Sequence, residues 1–80
     1  GSLMAFSDER LKENIVPMGQ ENGHNVYKFN YRNDPSNKTY IGVMAQEVQK
    51  THPEAVFEHG DAGYLAVDYP KIGVNFREVQ

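Results

Sequence analysis

From Val26 to Arg32 the chain reads Val-Tyr-Lys-Phe-Asn-Tyr-Arg, and this strict alternation constrains the fold more than any other segment. Successive side chains on a strand point to opposite faces. Tyr27, Phe29 and Tyr31 therefore share one face, and Lys28, Asn30 and Arg32 share the other. A strand with one aromatic face must be covered on that side and paired along its edges. Asn33-Asp34-Pro35-Ser36-Asn37 follows it with strong turn chemistry, and Thr39 to Val43 reads as a second strand, antiparallel to the first.

The remaining segments follow from the same reasoning. Ala45 to about Thr51 is expected to be a helix, with Gln46 and Glu47 at its start and Pro53 closing it by disfavouring helical geometry at His52. Ala55–Glu58 and Tyr64–Tyr69 are short strands around Gly60-Asp61-Ala62-Gly63, a spacing that predicts a hairpin. Pro70 suits a first helical position, whereas Gly73 and Asn75 weaken any helix in the tail.

Ser7 to about Val16 reads as a short helix, with Ser7 as N-cap and Asp8 and Glu9 in the first turn. Leu11 and Ile15 would form its buried stripe, and Pro17 would stop it. Gln20-Glu21-Asn22-Gly23 is a polar turn. The expected fold class is α+β: one small domain with a short N-terminal helix, antiparallel hairpins, a second short helix, and a C-terminal helix that is short or truncated.

Eighty residues without cysteine leave no disulfide staple and no thiolate metal site, so a partner chain is the natural further source of stability. The net charge of −3 and the scattered basic residues argue against a phosphate-binding surface. No apolar run approaches the roughly 20 residues of a membrane-spanning helix. Gly1-Ser2 reads as a cloning remnant.

Within Ser7-Asp8-Glu9-Arg10-Leu11-Lys12-Glu13-Asn14-Ile15 lies a candidate nucleophile with a candidate base. A serine hydroxyl becomes nucleophilic when a neighbour takes its proton, and a neutral lysine can do so. On a helix Lys12 would lean back toward Ser7, the positive helix end would lower its pKa, and the first amides would hold an oxyanion. The plain alternative is a capping serine and a solvated lysine. An i, i+5 pair is about 140° apart around an ideal helix.

The stretch SDERLKENI resembles the opening signature of the peptidase S74, or endosialidase-type, intramolecular chaperone domain of phage tailspikes and tail fibres. Ile41–Lys50 (IGVMAQEVQK), His52–Val56 (HPEAV) and Leu65–Tyr69 (LAVDY) are similar to later blocks of that family, in order. The resemblance implies a domain spanning residues 7–80, preceded in residues 1–6 by a tag remnant and an upstream cleavage-site segment.

It also implies that the domain promotes homotrimerisation and folding of an upstream fibre in the host cytoplasm during virion assembly, then leaves by autoproteolysis. The cut maps to Phe6–Ser7, with Ser7 and Lys12 as the dyad of a self-cleaving serine endopeptidase. The alternative is a non-catalytic trimerisation module in which Ser7 only caps a helix. Family members commonly continue after the Val-Asp-Tyr strand into long helices, and Pro70–Gln80 departs from that pattern.

Arg10 and Asp68 are candidate supporting residues, since a carboxylate in an apolar strand needs a partner and the first helix offers Arg10 or Lys12. Asp68 facing water or capping the segment at Pro70 is the other reading. His24, His52 and His59 lack metal-ligand spacing and are expected to be surface histidines. Tyr27, Phe29, Tyr31 and Tyr40 are expected in the core or a subunit interface rather than on a base-stacking surface. No cofactor, metal, nucleic acid, membrane or small-molecule substrate is expected.

Overall fold

Asn22 and Gly23 both take positive φ, 48° and 82°. That combination makes a two-residue type I′ turn, whose twist matches the strands it joins. The computed structural model describes residues 4–80, and in it this turn links the two longest strands. In chain order the elements are β1 (Met4–Phe6), β2 (Lys12–Glu21), β3 (His24–Tyr31), β4 (Thr39–Gly42), α1 (Ala45–Thr51), β5 (Val56–His59), β6 (Tyr64–Asp68), α2 (Tyr69–Ile72) and β7 (Arg77–Glu78). They form two antiparallel sheets, β1-β6-β5 and β2-β3-β4-β7.

The class is therefore mainly β rather than α+β, and the N-terminal helix expected over residues 7–16 does not form. Glu9–Leu11 is a single 3-10 turn capped by Asp8, and β2 starts at Lys12. Three local features decide this. Asn14 sits at φ 54°, outside the right-handed helical region. Val16 precedes a proline and is pushed to extended geometry. Leu11 and Ile15 do not make a buried stripe, since Ile15 is 41% exposed. Pro17 is tolerated because β2 is an edge strand whose register shifts on either side of it.

The later elements match the sequence closely: β3 and β4 pair antiparallel, β5 and β6 form the hairpin, and α1 follows β4. Pro70 does open a helix, and Gly73 ends it after one turn at φ 68°, with the Asn22 side chain donating to the Ile72 carbonyl at 2.8 Å. The core gathers Val26, Val43, Ala45, Val48, Ala55, Leu65, Val67, Tyr69, Ile72 and Val74 from both sheets and both helices. The reading of Gly1-Ser2 as a cloning remnant lies outside the described residues.

Candidate active site

The peptide bond from Phe6 to Ser7 leaves the end of β1 and is held at both of its polar atoms. Its N–H, on Ser7, donates to the Leu65 carbonyl at 3.1 Å. Its carbonyl, on Phe6, accepts from the Tyr31 hydroxyl at 2.5 Å. One residue later the Ser7 carbonyl accepts at 2.8 Å from the Ala45 amide, the first of α1, a helix that has no side-chain cap.

Ser7 has no exposed surface. Its Oγ lies 2.5 Å from the Tyr69 hydroxyl, to which the Val43 amide donates at 3.0 Å. Burial pushes the Tyr69 phenol up to about 12, so it stays neutral around pH 7. Ser7 is thus not a helix cap; that role falls to Asp8.

Lys12 is likewise fully buried. Its Nζ donates to the Val43 carbonyl at 2.6 Å and stands 3.9 Å from the centre of the Phe29 ring. Burial lowers its pKa to about 7, with the negative charge of Asp8 opposing the shift. A substantial fraction of Lys12 is therefore neutral around pH 7, the form a base requires. The cause is desolvation inside the fold, not a helix end.

Ser7 and Lys12 share no hydrogen bond. Both connect to Val43, Ser7 through Tyr69 to its N–H and Lys12 directly to its carbonyl.

Asp8 is buried and ties the turn to α1 and to β6 of the smaller sheet. It accepts from the Arg10 amide (2.9 Å), Arg10 Nε (3.0 Å) and Nη2 (2.8 Å), Gln46 Nε2 (2.8 Å) and the Leu65 amide (3.0 Å). The Arg10 guanidinium, first among these, holds its carboxyl well below the usual carboxylate range. The amides once expected to hold an oxyanion are engaged: Glu9 N–H on Gln46 Oε1, Arg10 N–H on the Asp8 carboxylate, and Leu11 N–H on the Asp8 carbonyl.

Arg10 therefore pairs with Asp8 and not with Asp68. Asp68 caps α2, accepting from the Lys71 amide at 3.4 Å. His24 and His52 meet edge to face at 4.9 Å, and His59 lies 5.6 Å from the Phe6 ring. Tyr31, Tyr69 and Gln46 are the contacts that sequence reasoning did not assign. An open apolar groove of about 530 Å³ lies beside the bond, lined by Phe6, Leu11, Tyr31, Tyr40 and Phe76 among others.

No curated protein and no solved structure gives a significant match to this chain. A family model does match, over residues 7–57, which include Ser7, Lys12, Tyr31, Val43 and Gln46 and stop short of Tyr69. With more than half of its length matched, the chain belongs to the peptidase S74 family, described as the chaperone of endosialidase.

Proposed function

We propose that this chain is an intramolecular chaperone that aligns three copies of an upstream tail fibre or tailspike in the host cytoplasm and then cuts itself free between Phe6 and Ser7. The observation that carries the reading is a buried serine beside a clamped peptide bond, with a buried lysine whose pKa has fallen to about 7. Three-chain fibrous β-structure has high contact order and is prone to misregistration. A globular domain that trimerises first raises the effective concentration of the strands it precedes or follows.

In this reading Ser7 Oγ attacks the Phe6 carbonyl carbon and neutral Lys12 takes the hydroxyl proton, while the carbonyl electron pair moves onto oxygen. Collapse breaks the bond to the Ser7 nitrogen, which receives the proton from Lys12. The product is an ester from Phe6 to Ser7 Oγ and a free α-amine on Ser7. Water then adds to the ester, its C–O bond breaks, and a Phe6 carboxylic acid and the Ser7 hydroxyl remain. One water is consumed per bond cut. Assembly of the trimer brings Lys12 from Val43 onto Ser7, which couples cutting to completed folding.

The test is intact mass of the protein with its natural upstream segment, beside Ser7→Ala and Lys12→Ala. The expected result is a cut at Phe6–Ser7 in the wild type alone, with a rate that rises with pH and levels off above about 7. An assembled but uncut wild type would instead support a non-catalytic assembly module. That second reading is favoured by the hydrogen bonds that already occupy Ser7 Oγ and Lys12 Nζ.

A further inference from the structure

We propose that Tyr31 is the oxyanion donor of the cleavage reaction, a catalytic residue whose hydroxyl stabilises the charge that develops on the Phe6 carbonyl oxygen. The inference rests on the self-cleavage reading above.

Four observations carry it. The Tyr31 hydroxyl already donates to that oxygen at 2.5 Å, so the donor touches the reacting group before any bond is made. Tyr31 is the direct cross-strand partner of Lys12 in the β2–β3 ladder. Directly paired residues project from the same face of a sheet, so base and donor are delivered together. The Tyr31 ring is fixed edge-on by Phe29 at 5.2 Å and Tyr40 at 5.4 Å, which preorganises the hydroxyl. Finally, the nearby amides of Ser7, Asp8, Glu9, Arg10 and Leu11 all donate elsewhere.

Burial also holds the phenol above its ordinary pKa, so it keeps its proton where Lys12 has lost one. During attack the carbonyl oxygen gains negative charge and the neutral–neutral hydrogen bond becomes charge-assisted, roughly doubling in strength. No proton needs to leave Tyr31 in this step. The electron pair returns from the oxygen to carbon as the C–N bond breaks, and the phenol is unchanged.

The same bond could merely anchor β1 to the other sheet, and the test separates the two roles. Cleavage of the protein with its natural upstream segment is followed by intact mass for wild type, Tyr31→Phe, Ser7→Ala, and a variant with fluorinated tyrosine at position 31. The fluorinated ring keeps shape and hydroxyl but ionises at lower pH. Tyr31→Phe is expected to cut about 10²–10³-fold more slowly, the usual loss for one oxyanion donor. The fluorinated protein is expected to lose rate at alkaline pH, where its phenolate cannot donate.

Tyr31→Phe cutting at the wild-type rate, with Ser7→Ala uncut, would overturn the role of Tyr31 and leave the self-cleavage reading intact. An unaltered pH profile in the fluorinated protein would mark Tyr31 as an anchor and overturn it equally, even if Tyr31→Phe failed to assemble. An assembled wild type that is never cut, or Ser7→Ala still cut at Phe6–Ser7, would remove both.

Discussion

A lysine without exposed surface works against the fold that contains it. The ammonium of Lys12 keeps one carbonyl and the face of Phe29 in place of water, and its pKa falls to about 7. Below pH 7 both folded and unfolded chains carry the proton and the full penalty applies. Between about pH 7 and the ordinary lysine value of 10.5, the unfolded chain holds the proton that the folded chain has lost, so stability rises with pH. Lys12→Met is expected to be uncut but more stable at pH 6, on the order of 1–4 kcal/mol. Denaturant titrations across pH should show that advantage narrowing toward pH 10; an advantage independent of pH would mean that Lys12 is not desolvated as described. Although Ser7 and Lys12 share no hydrogen bond, the proposed pair was visible in the sequence, five positions apart. Its partners were not, because Tyr69 lies 62 residues from Ser7 and the aromatic face of β3 already accounts for Tyr31 by packing alone.

Among the elements, the first helix is the instructive failure. Leu11 and Ile15 at i, i+4 mimic an apolar stripe, and acidic residues after a serine mimic a helix start. The stronger signal was Asn22-Gly23, the pair that most favours a two-residue hairpin, immediately before the alternating strand. That turn obliges the preceding residues to run back along β3, and the bulges around Asn14 and Pro17 let them do so. Strands β3 to β6 and helix α1 were legible because alternation, turn residues and proline agree there. Strand β4 supplies its own prediction. A Cβ on Gly42 would stand 2.5 Å from the Tyr69 hydroxyl and 3.1 Å from the Phe76 ring. Gly42→Ala should displace the phenol from Ser7 Oγ, slowing cleavage at least tenfold in an intact-mass time course while the circular dichroism spectrum stays β-like. Cleavage at the wild-type rate would show that Tyr69 has no part in placing Ser7.

At the scale of the whole molecule, the site exists only where the two sheets meet. β1 and β6, from the smaller sheet, deliver the Phe6–Ser7 bond and lead into Tyr69; β2 and β3, from the larger, deliver Lys12 and Tyr31. Val43, just beyond β4, joins them. Neither sheet alone holds both the proposed nucleophile and the proposed base, so the proposed chemistry would report on a docked pair of sheets. Met4, Ala5 and Phe6, on the upstream side of that bond, pair with Asp68, Val67 and Ala66 of the downstream domain. Scission would therefore turn a covalent tether into a reversible clasp. The severed end would stay seated as an edge strand until thermal motion or a pull from the maturing fibre peels it away. Native mass spectrometry of freshly cut protein should find both pieces together, and mild denaturant should part them without further proteolysis. Pieces that separate as fast as the bond breaks would show that the clasp has no holding power. Making the cut and letting go would otherwise run on separate clocks, one set by Lys12 and the other by three residues of backbone pairing.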